Sequence, residues 1–99
     1  MDIKISAIRF KADKKLEQFI TEKINKLSKL HDEIIGSDVT LKLENSEDHD
    51  NKIVEIRVKI KGNDVLAEKK SKSFEESTDL AIEAVKKQLL KVKEKQQRR

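Results

Sequence analysis

The stretch from Val54 to Lys61 constrains this chain more than any other. Val54, Ile56, Val58 and Ile60 alternate with Glu55, Arg57, Lys59 and Lys61. Successive side chains of a strand point to opposite faces, so this is a strand with one apolar and one charged face. Strands of a doubly covered parallel sheet are apolar on both faces, which excludes that class. The chain must build a sheet that is wet on one side and covered by other elements on the other.

The rest of the chain supplies those elements. Ile3, Ile5 and Ala7 alternate with Asp2, Lys4 and Ser6, which predicts a first strand. Asp13 suits a helix start, because its carboxylate can accept from the orphan amides of the first turn. Leu16, Phe19, Ile20, Ile24, Leu27 and Leu30 then recur at helical spacing and predict a helix through about residue 31. Gly36, Ser37 and Asp38 read as the break after it. Val39, Leu41 and Leu43 alternate with Thr40, Lys42 and Glu44, a second strand, followed by the polar loop from Glu44 to Lys52. Gly62-Asn63-Asp64 is a turn, and Val65 and Ala67 open a fourth strand that becomes charged at Lys69 and Lys70, as suits an edge. Ser73 and Glu76 have capping-box spacing. Thr78, Ala81, Ile82, Val85, Leu89 and Val92 mark one face of a helix over about 74–96. The expected class is α+β, in the order β-α-β-β-β-α, with a four-stranded mixed sheet and two helices on one face. Residues 1–96 form one domain, and 97–99 a short basic tail.

Charge separates along the chain. Residues 38–50 carry Asp38, Glu44, Glu47, Asp48 and Asp50 against Lys42, a net −4, whereas 86–99 carry seven bases against Glu94, a net +6. Residues 57–72 are net +4 and the whole chain +4. Segregated positive charge points to a polyanionic partner. No cysteine is present, which rules out disulfides and thiolate metal sites. The N-terminal MDIKISAIRF does not read as a signal peptide, and no run of apolar residues is long enough to span a membrane.

Catalysis finds little support: there is no Gly-rich phosphate loop and no nucleophile motif. His31 reads as a helix-end or core-edge residue, suited to the C-terminal carbonyls. His49, between Asp48 and Asp50, reads as part of a solvated acidic hairpin loop, without the rigid support or the spacing of a metal site. No cofactor and no small-molecule substrate is expected.

The lysines are the better candidates. Lys23, Lys26 and Lys29 recur every three residues and form an oblique stripe beside the apolar face of the first helix. On the last helix Lys87, Lys91 and Arg98 lie opposite the core, within about 40° of one another. Lys86 and Lys93 lie on one flank, nearer the sheet. If the helices pack side by side, these sets form one electropositive field. Phe10, Phe19 and Phe74 are the only aromatics and each has a core role available, so no stacking platform for unpaired bases is expected. Recognition should rest on phosphates, sugar edges and RNA shape. Leu80 and Leu90 fall off the core stripe, as rim packing or as partner contacts.

Two segments resemble a known family. Leu16-Glu17-Gln18-Phe19-Ile20 with Lys23, Lys26-Leu27 and Lys29 is one; Ala81-Ile82-Glu83 running into Lys87-Gln88-Leu89 and Lys91 is the other. Together with the element order, they resemble the short form of the ribosome hibernation promoting factor and ribosome-associated inhibitor family. The resemblance implies a fold similar to double-stranded-RNA-binding domains with one extra strand. It also implies a cytoplasmic, non-enzymatic factor whose partners are the small ribosomal subunit, its rRNA and the whole ribosome. Such a factor occupies the decoding channel and blocks the messenger and transfer RNA sites. The family's rRNA-contacting positions fall on Lys23, Lys26, Lys29, Lys87 and Lys91, and Lys86 and Lys93 extend the same field. The short form lacks the C-terminal domain by which long members pair ribosomes. The family pattern is broken at two places: Ser73 and Glu75 stand where Asp-x-Tyr is usual, and Ala84 where Lys is usual. The alternatives are a general duplex-RNA-binding module and a protein-interaction domain whose lysines are merely solvated.

Overall fold

The computed structural model describes residues 2–45 and 49–97. Its elements are β1 (Asp2–Ala7), α1 (Lys14–Leu27), β2 (Ile34–Leu43), β3 (Lys52–Ile60), β4 (Asn63–Ser71) and α2 (Phe74–Gln97). The strands form one sheet in the order β1-β2-β3-β4. β1 runs parallel to β2, and β2, β3 and β4 form an antiparallel meander. The α+β class and the element order agree with the sequence.

Both helices cover the apolar face. Leu16, Ile20, Ile24 and Leu27 of α1 and Ala81, Ile82, Val85 and Leu89 of α2 bury against Val39, Leu41, Val54, Ile56, Val58, Ile60 and Val65. β4 runs parallel to β1, because two antiparallel steps separate β2 from β4. A helix that returns from β1 and one that returns from β4 therefore run in the same direction. That parallelism decides where their lysines meet.

Three boundaries differ from the sequence reading, each for a physical reason. α1 ends at Leu27 rather than near residue 31. The Lys29 and Leu30 amides donate to the carbonyls of Lys26 and Leu27, three residues back, which tightens the exit turn. β2 begins at Ile34, so Gly36 and Ser37 lie inside a strand. Gly36 pairs with Asp2 of β1, and a Cβ at Gly36 would stand 2.8 Å from the Asp2 carbonyl oxygen. The glycine marks close backbone approach instead of a turn. The register shifts between Ile34 and Gly36, and this irregularity leaves Ile35 61% exposed. β4 is longer than its apolar residues suggest, because its charged outer half still pairs with β3 out to Ser71.

The cap residues act as expected, with one change. The Leu16 amide donates to Asp13 Oδ1 at 2.8 Å, and the Glu76 amide to Ser73 Oγ at 3.0 Å. The Ser73 amide, which a full capping box would give to Glu76, turns instead toward Ser71 Oγ at 3.4 Å. Ser71 Oγ lies 2.7 Å from Ser77 Oγ, and Ser77 Oγ donates to the Lys52 carbonyl at 2.6 Å. This buried cluster ties the ends of β3 and β4 to the first turns of α2. Phe10, just past β1, stacks on Phe74 at 5.2 Å between ring centroids and holds the same end of the domain.

Candidate nucleic-acid interface

The outer face of the sheet is the first place to look for a charged surface, and it balances itself. Lys4, Lys42, Arg57, Lys59 and Lys70 project there among Asp2, Asp38, Glu44, Glu55, Asp64 and Glu68. Lys59 Nζ is 3.1 Å from Asp38, and Lys42 lies between Glu55 at 3.6 Å and Glu68 at 3.5 Å. Lys70 reaches Glu44 at 2.8 Å. A surface of alternating paired charges offers a polyanion little.

The helical face differs. Lys23 of α1 faces Asp79 of α2 at 3.4 Å. One turn on, Lys26 shares a groove with Ile82, Glu83 and Lys86. Further on, His31, Asp32 and Glu33 share a second pocket with Lys93. Residue numbers rise together on both sides, as parallel helices require. The basic C-terminal halves of α1 and α2 thus come to the same end of the domain. Lys26, Lys29, Lys87, Lys91 and Lys93 are exposed there and form no ion pair among the described residues.

All seven lysines singled out in the sequence are described. Lys29 lies in the turn after α1 rather than on the helix, and it is exposed. The flank of α2 that carries Lys86 and Lys93 was expected nearer the sheet. It is turned toward α1 and the turn that follows it, so Lys86 lines the interhelical groove. Lys87 and Lys91 point away from the core into solvent. Arg98 and the tail residue Arg99 lie outside the described residues. Leu80 and Leu90 are solvent-facing, 43% and 52% exposed, rather than packed at the rim.

Phe19 and Lys23 show how the site is built. Phe19 is partly buried against the core, and the Lys23 ammonium stands 5.3 Å from its ring centroid. The ring and Asp79 together hold Lys23 at the groove. Asp79 and Glu83 were not recognised as site residues in the sequence. Their signal was available: with Lys86 they recur at steps of four and three along one flank of α2.

His31 is 6% exposed and sits at the core edge just past α1, as the sequence predicts, but its polar contact differs from the expected one. It does not cap the helix carbonyls; its Nδ1 accepts from the Glu33 amide at 3.1 Å and shapes the exit from α1. The Nδ1 acceptor puts the proton of the neutral ring on Nε2, which is buried without a partner among the described residues. Glu47 and Asp48 of the acidic loop lie outside the described residues, and His49 and Asp50 are exposed. Among the described residues no group of three or more His, Asp or Glu side chains is placed to hold a metal ion, and no helix is long and apolar enough to cross a membrane.

The model of the sigma 54 modulation protein / S30EA ribosomal protein family matches residues 3–97. The chain belongs to this family. Its members are ribosome-interface and translation-regulating proteins, not enzymes. A ribosomal subunit interface protein from Coxiella burnetii has the same fold at a TM-score of 0.83 and 22% identity, with 94% of this chain and 98% of that one covered. The N-terminal domain of Thermus thermophilus Protein Y follows at 0.77 and 20% identity, covering 90% of this chain and 96% of that one. No curated protein matches by sequence.

Proposed function

We propose that this S30EA-family chain is a hibernation factor that binds the small ribosomal subunit in the cytoplasm. It occupies the decoding channel and excludes messenger and transfer RNA by steric occlusion. Lys23, Lys26, Lys29, Lys86, Lys87, Lys91 and Lys93 contact the rRNA backbone in this reading. The observation that carries it is the meeting of two basic helix ends on one face while the opposite face is internally neutralised. Family membership and the interface role named for the Coxiella relative support the ribosome as the partner. Lysines that neutralise phosphates release counterions, so binding should weaken steeply with salt.

Sucrose-gradient co-sedimentation tests the reading, with naked duplex RNA as competitor. The protein should travel with the small subunit or the whole ribosome, release as salt rises, and resist the duplex. Protein that stays at the top of the gradient at every salt concentration would exclude the reading. Reversing charge at Lys26, Lys87 and Lys91 together should weaken binding by at least ~100-fold, since each lost phosphate contact acts on the same electrostatic term. All three side chains are exposed, so the fold should survive. A folded triple variant with unchanged ribosome affinity would remove these lysines from the site.

A further inference from the structure

We infer that Asp79 and Glu83 are internal competitors for the basic face, which hold Lys23 and Lys86 back from RNA and so set the selectivity of the site. The inference rests on the reading that this face takes rRNA. Lys23 lies 3.4 Å from Asp79 across the groove, and Lys86 lies 3.4 Å from Glu83 along α2. All four residues line the same groove together with Lys26 and Ile82.

Neither acid is needed where it stands for the helix itself. α2 begins at Phe74 and already has Glu75 and Glu76 in its first turn. The benefit of an acid at the helix N-terminus fades beyond that turn, so Asp79 and Glu83 gain little from it. Both carboxylates are open to solvent, with side chains 54% and 65% exposed. Exposed pairs of this kind are weak enough for a phosphate to displace.

Two consequences follow for a polyanion that approaches the groove. A lysine paired with a carboxylate must give up that partner before it can neutralise a phosphate and release the RNA's condensed counterions, so it adds little to generic RNA affinity. The carboxylates also repel any phosphate that does not come close enough to take over the lysine. A flexible or poorly fitting RNA therefore meets mainly the unpaired lysines at the rim. A rigid rRNA surface that presents phosphates to both helices at once can displace both acids.

The test compares Asp79→Asn/Glu83→Gln with Glu75→Gln/Glu76→Gln. Both variants lose the same two charges from α2, but no lysine is paired with Glu75 or Glu76 among the described residues. Affinity for a naked RNA duplex and for the small subunit is measured over a series of salt concentrations, with circular dichroism to confirm folding. The groove variant should bind the duplex between about twofold and thirtyfold more tightly, the span of two exposed ion pairs. The slope of log affinity against log salt should steepen by about one and a half to two, for two newly available lysines. The gain on the small subunit should be smaller, so selectivity falls. Equal shifts in the two variants would overturn the inference, because they would reflect net charge alone. Wild-type protein that fails to bind the small subunit would instead remove the functional reading beneath it, and the two failures are read from different measurements.

Discussion

A methyl group at position 36 would meet the Asp2 carbonyl oxygen at 2.8 Å, and that oxygen belongs to backbone rather than to a side chain that can swing aside. β1 is one of the two edge strands and pairs only with β2. Strain at Gly36 would therefore be relieved by prying β1 away. Gly36→Ala should destabilise the domain by about 1–3 kcal/mol, the usual range for overpacking a close contact. Urea denaturation should show the loss as a lower midpoint, and hydrogen exchange should locate it in the β1 amides. A midpoint equal to that of wild type would show that the β1–β2 approach has slack. Arg9 takes a positive φ of 67° where the chain leaves β1, a second backbone feature that no local residue pattern announces.

At the scale of elements, the orientation of α2 is fixed at its start. The Ser73 amide and carbonyl, Ser71, Ser77 and the Lys52 carbonyl form one hydrogen-bonded cluster. Ser71 Oγ accepts from the Ser73 amide and lies 2.8 Å from the Ser73 carbonyl and 2.7 Å from Ser77 Oγ, and Ser77 Oγ donates to the Lys52 carbonyl. Ser77 is fully buried at the centre of that cluster. Ser77→Ala should cost about 1–3 kcal/mol, because it leaves buried polar partners unsatisfied. Ser73→Ala removes an exposed cap bond and should cost about 1 kcal/mol. Thermal denaturation of the two variants checks the order, and a Ser77→Ala variant more stable than Ser73→Ala would refute the cluster as a structural tie. The consequence reaches the site, since the direction in which α2 leaves this tie sets where its lysines end, about three to five turns after Phe74.

At the scale of the whole molecule, the functional distinction is between two faces and not between charged and uncharged protein. Lys4→Glu/Arg57→Glu and Lys87→Glu/Lys91→Glu alter net charge equally, the first pair on the sheet face and the second on the helical face. If rRNA is read by the helical face, the helical pair should lose at least ~10-fold in small-subunit affinity at physiological salt. The sheet pair should lose less than ~3-fold, because screening over about 8 Å confines charge effects to the face that carries them. Equal losses would mean that net charge alone attracts the protein to ribosomes.

The sequence by itself determined what is periodic. The alternation at Val54–Ile60 required a sheet with one wet face, and the stripes through Leu16–Leu27 and Ala81–Leu89 required two helices to cover the other. Asp13 and Ser73 announced the helix starts, since caps are local chemistry. The lysines were legible too, and with them the family. Boundaries set by long-range pairing were not legible. Gly36-Ser37 looks like a turn until β1 is known to lie against it, and Lys29 looks helical until the chain is seen to tighten after Leu27. The groove was hidden for the same reason. Lys23 and Asp79 are far apart in the chain, and only two parallel helices on one sheet bring them within 3.4 Å. Periodicity tells each element which face to bury; the tertiary structure alone decides which exposed charges of different elements become neighbours, because that depends on strand order and helix direction, which no single segment encodes.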